Sequence, residues 1–132
     1  METKTISVYA IPGVKERRFE TLTLDNFNLA VSLLEERYEL EKDSLLAKNR
    51  AAPLPYIRFL LTYYIRRRYS MNTVVNIASM MGSRDHTTII SSTQAFQNKL
   101  DTNELLGLKV KSDYATVRED YLHTSKYLNT CL

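Results

Sequence analysis

From Asp25 onward the apolar residues Phe27, Val31, Leu34 and Tyr38 fall four, three and four apart, the repeat of one face of an α-helix. Asp25 fits the N-cap position of that helix. A short second helix is expected from Asp43, with Leu45 and Leu46, ending before Lys48-Asn49-Arg50 and the Pro53-Leu54-Pro55 corner. A third is expected from about Pro55 to Tyr69, with Ile57, Leu60, Leu61, Tyr64 and Ile65 inward and Arg58 and Arg66 to Arg68 outward. Thr73 to Met80 reads as another short helix that buries Val74, Ile77 and Ala78. Met81-Gly82-Ser83 is then a turn, with Ser83 as the cap of a helix over about Arg84 to Leu100. Ile89, Thr93, Phe96 and Leu100 form its inner side, and Thr87, Ser91, Gln94 and Asn98 its outer side. A last helix, roughly Ser112 to Leu128, presents Val117, Tyr121 and Leu128. Residues 1 to 22 read as an extended arm.

Composition agrees with this helical reading. Three glycines and three prolines in 132 residues leave little punctuation for a many-stranded sheet. The expectation is an all-α domain whose fourth and fifth helices form a helix-turn-helix: two helices joined by a short glycine-containing turn. The lone Cys131 has no partner for an intramolecular disulfide, which points to a reducing, cytoplasmic setting. Met1 to Ala10 lacks a secretion pattern, and Leu54 to Ile65 is short for a membrane span and carries Arg58, so no membrane partner is expected.

Charge is segregated along the chain. Ser44 to Arg84 holds seven basic residues and no acidic one, a net +7, while the remainder nets −4. Such a basic centre fits a polyanion partner, because neutralising phosphates releases condensed counterions. It fits a solvated basic face equally well.

The start of the helix after the turn carries the chemistry. Asp85 suits accepting from a cytosine or adenine amino group, His86 donating to a guanine acceptor, and Thr87 and Thr88 touching a thymine methyl. The same residues also suit a plain helix start, in which Ser83 and Asp85 cap and His86 packs in the turn.

The run Gly82-Ser83-Arg84-Asp85-His86-Thr87-Thr88-Ile89-Ile90 resembles the signature of the DNA-binding C-terminal domain, domain IV, of the bacterial replication initiator DnaA: glycine, then Arg-Asp-His-Thr-Thr, then two aliphatics. The resemblance extends to Leu24–Glu41 as the family's first helix and to Leu45-Leu46-Ala47-Lys48-Asn49-Arg50 as its basic loop. It also takes in the hydroxyls Ser70 and Thr73, and Val110-Lys111-Ser112-Asp113-Tyr114 as the start of the final helix. It divides the chain into an arm (1–23), a domain IV-like unit (24–121) and the end of the last helix with a tail (122–132). The implied fold is compact, helical and similar to the Trp-repressor-like fold of that domain. The implied base contacts are Asp85, His86, Thr87 and Thr88. The implied phosphate or groove contacts are Lys48, Arg50, Arg58, Ser70, Thr73 and Arg84, which fix register without conveying sequence.

The sequence departs from the family where it normally has an arginine followed by proline leading into the long helix. Here Pro55-Tyr56-Ile57-Arg58 stands, leaving Arg58 or Arg50 for the minor groove. Gln94 and Ala95 replace basic residues usual after the signature.

Other chemistries find no support. His86, His123 and Cys131 lack metal-ligand spacing, Asp85 and His86 lack a nucleophilic partner, and there is no glycine-rich phosphate loop. The expectation is a non-enzymatic, stand-alone duplex-DNA binder without cofactor, metal or nucleotide, serving as a bacterial or phage regulator of replication or transcription. A protein-interaction module that binds or blocks a replication protein is the alternative, and structured RNA is a third candidate partner. The tyrosines around the third helix, including Tyr56, Tyr63, Tyr64 and Tyr69, are expected to pack the core rather than stack on single-stranded bases.

Overall fold

The computed structural model describes residues 21–48, 50–69, 71–82, 84–103 and 116–132. Among these residues the fold is all-α, with five helices: α1 (Leu24–Arg37), α2 (Leu54–Arg68), α3 (Val74–Met80), α4 (His86–Thr102) and α5 (Val117–Cys131). The expected helix start at Ser112 and the contacts expected of Ser70 and Ser83 lie outside the described residues, as does most of the arm.

Side-chain caps set four of the helix starts. Thr23, and not Asp25, caps α1 by accepting from the Asn26 N–H at 3.2 Å. Asp25 instead sits in the first turn, where its charge complements the helix dipole. Thr73 caps α3 through the Asn76 N–H at 3.0 Å, and Asp85 caps α4 through the Thr87 N–H at 2.9 Å. Thr116 and Glu119 form a reciprocal pair at the start of α5: the hydroxyl accepts from the Glu119 N–H and donates to the Glu119 carboxylate. Leu22, assigned to the arm, is buried, and its peptide N–H donates to Asn72 Oδ1 at 2.8 Å.

The helix expected from Asp43 does not form. Glu39 and Asp43 take positive φ (57° and 68°), and the chain from Glu41 to Ala47 runs through isolated turns. The carbonyls of Leu45 and Ala47, which a continuing helix would use for its own N–H groups, accept from Arg58, and that of Ser44 is shared between Arg58 and the Ala47 N–H.

α2 runs through the core and is buried nearly all round, as a central helix must be. α4 packs chiefly against α2, with α3 and α5 also against α4. Where they meet, Tyr63, Phe96 and Tyr121 form an aromatic triangle with centroids 5.2–5.5 Å apart. Tyr63 donates to Gln97 and Tyr64 to Asn129, so these ring ends are satisfied inside the protein.

The second anchor is polar. Asp120 is fully buried and accepts from the Tyr38 hydroxyl at 2.6 Å and the Tyr56 hydroxyl at 2.8 Å, with Arg37 paired at 3.5 Å. Burial first, and the Asp120 charge second, push both tyrosine hydroxyls well above the ordinary tyrosine range, so they remain donors at any working pH. This joins α1, α2 and α5. Asp120→Ala removes the acceptor shared by two hydroxyls and the charge partner of a guanidinium, and should lower the unfolding free energy by about 3–5 kcal/mol and the melting temperature by on the order of 10 °C. Urea and thermal denaturation measure both. A loss under about 1 kcal/mol, the size of one ordinary hydrogen bond, would show that the network does not tie the helices together.

Candidate nucleic-acid interface

The turn between α3 and α4 is closed by the Arg84 N–H, which donates to Ala78 O at 2.9 Å. Gly82 takes φ +89°, a conformation in which L side chains are strained, and a Cβ there would stand 3.3 Å from Leu46 O. The turn is thus pressed directly against the irregular segment that follows Asp43.

That segment is held by Arg58. Its Nε donates to Leu45 O at 2.6 Å, and its Nη2 to Ala47 O at 2.7 Å and Ser44 O at 3.3 Å. Glu35, buried in α1, accepts from the Leu45 N–H at 3.1 Å on the other side. Arg58 was expected to face outward and reach a phosphate or a groove. The structure leaves it 8% exposed and commits its guanidinium to the backbone, so its work here is to position the loop. Burial, and then the neighbouring Arg84 charge, lower its pKa from the ordinary arginine value. Arg68 is buried as well, whereas Arg66 is exposed.

Held in this way, the loop presents Lys48 and Arg50 to solvent beside the start of α4. Lys48 lines one shallow cleft with Leu46, Gly82, Arg84, Asp85 and Thr88. The Arg84 Nη2 donates to Ala47 O at 3.3 Å, so loop, turn and helix tip share one acceptor with Arg58.

The start of α4 is open. Asp85, His86, Thr87 and Thr88 are all exposed, with the Asp85 and His86 side chains 65% and 56% accessible and 3.5 Å apart. Ser91, Gln94 and Asn98 continue the exposed stripe, as their spacing foretold, while Ile89, Phe96 and Leu100 are buried. Asp85 combines a cap with an exposed carboxylate, whose Oδ1 accepts from the Thr87 N–H. The two hydrogen bonds with Thr87 hold its pKa below the ordinary aspartate value, with a smaller push from His86.

The structure therefore brings Lys48, Arg50, Arg84, Asp85 and Thr88 to one edge, with His86 and Thr87 at its tip. Thr73 lies in a neighbouring cleft with Asn72 and Asn76. Sequence reasoning passed over Val75 and Ser79 of α3, which line a cleft with Arg84, Asp85 and His86; Val75 is 63% exposed. The signal was present: Val75 falls off the Val74, Ile77, Ala78 stripe of a seven-residue helix. Among the described residues no group of three or more His, Cys, Asp or Glu side chains could hold a metal ion, and no helix is long and apolar enough to cross a membrane.

A short capped helix, a turn closed through a positive-φ glycine and a second helix with an open polar tip define a helix-turn-helix domain, a DNA-binding and non-catalytic domain type. The chain belongs to the bacterial DnaA protein helix-turn-helix family, which matches residues 30–95, half of its length. It is similar to the chromosomal replication initiator protein DnaA of Chloroflexus aggregans (26% identical over 89 residues, 67% of this chain and 18% of that protein). It is likewise similar to that of Chloroflexus aurantiacus (23% over 119 residues, 90% and 23%) and of Lachnoclostridium phytofermentans (28% over 92 residues, 62% and 19%). The chain spans less than a quarter of the length of these relatives. No solved structure gives a match.

Two outcomes follow from the geometry. Gly82→Ala forces a strained φ and crowds Leu46 O, and should cost more than about 1 kcal/mol in chemical denaturation; an unchanged midpoint would mean that the turn does not bear on the loop. Because Asp85 titrates below its unfolded value, its cap is at full strength above about pH 4 and fades as pH falls through the lower folded value. Carbon-detected NMR titration of the Asp85 carboxyl should give a pKa below that of an unstructured aspartate, and Asp85→Asn should flatten the acid dependence of amide protection in the first turn of α4.

Proposed function

We propose that this chain binds duplex DNA sequence-specifically, with the N-terminal end of α4 in the major groove, and that it acts in replication or in a regulatory step tied to it. One observation carries the reading. An exposed polar helix tip of small side chains is flanked on one edge by Lys48, Arg50 and Arg84, so a helix can enter a groove while cations meet the phosphates beside it. The unit proposed to do this runs from residue 24 to residue 121. No bond is made or broken in it, and no nucleotide is needed.

The roles divide by chemistry. Asp85 offers its exposed carboxylate to a base amino group, His86 and Thr87 project from the first turn toward base edges, and Thr88 offers its methyl to thymine. Lys48, Arg50 and Arg84 serve as phosphate contacts. Thr73 keeps its hydroxyl hydrogen free for a phosphate while its oxygen caps α3. Arg58 is left out of this set, because its guanidinium already serves the loop. Family membership and the initiator names of the similar proteins support a place in replication.

Selection from a random duplex pool, followed by binding of the enriched site, tests the reading. His86→Ala and Thr87→Ala should each weaken that site by about 1–3 kcal/mol and relax preference at one base pair. Asp85→Asn, which keeps a capping oxygen, should alter the preferred base without unfolding the helix start. Arg84→Ala should weaken all duplexes alike and reduce the salt slope by about one unit. Failure of any duplex to be retained at moderate salt would rule the proposal out and favour a protein partner for the same face.

A further inference from the structure

Beneath the loop, on the α2 side of the α4 tip, lies a cleft of about 300 Å3. Phe59, Met81 and Ile89 make its apolar lining, and Lys48, Arg50 and Arg84 its cationic side; no carboxylate lines it among the described residues. A volume of this size matches the small end of pockets that enclose organic ligands, which are mostly apolar with a few placed polar groups.

The positive charge along this cleft is not balanced by any lining carboxylate among the described residues. Arg58, which also lines the cleft, feels the Arg84 charge, so two cations oppose each other across a small distance. An anion placed here would accept from the cationic side and relieve that repulsion, while a flat apolar body would fill the space against Phe59, Met81 and Ile89.

We propose that this cleft is a binding site for a small aromatic carboxylate, with the carboxylate at Arg84 and the basic loop and the ring on the apolar lining. Its consequence rests on the DNA reading above: Lys48, Arg84 and Thr88 line the cleft and also belong to the proposed duplex edge, so an occupied cleft opposes duplex binding.

The probe is 2-naphthoate, titrated into the full chain without DNA and followed by amide shifts, with neutral 2-naphthamide as the control. Naphthoate should bind saturably with a Kd on the order of 1 mM or tighter, as expected for a ligand of this size. The shifts should centre on Phe59, Met81, Ile89 and Ser92, and the amide should bind about tenfold more weakly or not at all. Arg50→Gln, a substitution at an exposed position, should weaken naphthoate and leave naphthamide unchanged. Equal binding of the acid and the amide, or shifts centred elsewhere, would overturn the site. At a concentration about ten times its Kd, naphthoate should weaken binding of the selected duplex about tenfold, with acetate matched for salt. Occupancy of the cleft with unchanged duplex affinity would overturn the shared edge. Because the first titration contains no DNA, it succeeds or fails independently of the duplex-binding reading.

Discussion

Arg58 reaches out of the central helix and holds the carbonyls of Ser44, Leu45 and Ala47, and the candidate interface depends on that grip. A guanidinium taken out of water needs its hydrogen bonds made, and three backbone oxygens in reach supply them. The bonds act in both directions. They satisfy the buried cation, and they prevent residues 44–47 from coiling into a helix that would carry Lys48 and Arg50 elsewhere. Leu46 O then lies against the position a side chain would occupy on Gly82, and Arg84 shares Ala47 O with Arg58. Basic loop, turn and helix tip become one body.

That body needs a rigid base, which the two interior anchors provide. The Tyr63, Phe96 and Tyr121 rings lock α4 to α2 and α5 through shape and area. The Asp120 carboxylate locks α1, α2 and α5 through direction, since each hydroxyl that bonds it must arrive from a set angle. In the first turn of α4, by contrast, Ile89 is buried while the His86, Thr87 and Thr88 side chains stay in water. A polar tip on a fixed helix is what a reader of base edges requires, because positional error costs contacts.

Much of this was legible in the sequence. The four-three-four spacing of α1 placed Phe27, Val31, Leu34 and Tyr38 inward, and all are buried; the same arithmetic placed Thr87, Ser91, Gln94 and Asn98 outward on α4, and all are exposed. The Gly82–Ile90 run identified the family that the comparison with known proteins shows. The errors share a cause, which is that local pattern does not report long-range partners. Arg58 was read as outward because it is charged, although Leu54, Arg58, Leu61 and Ile65 share one buried stripe at four, three and four. Asp43 was read as a helix start because Leu45 and Leu46 follow it, but the carbonyls there belong to Arg58. Asp25 and Thr23 are both good caps by composition, and only the geometry of the chain behind them decides for Thr23.

The central claim is that the tip of α4 reads the floor of the major groove. Replacing purines one at a time by their 7-deaza analogues in the selected duplex removes a major-groove acceptor while leaving pairing, phosphates and the minor groove in place. The account predicts that affinity falls at one compact patch of adjacent base pairs and is untouched outside it. Affinity that stays constant through every such replacement, and through replacement of each thymine by uracil, would contradict the account, since neither a ring acceptor nor a methyl group of the major groove would then be read.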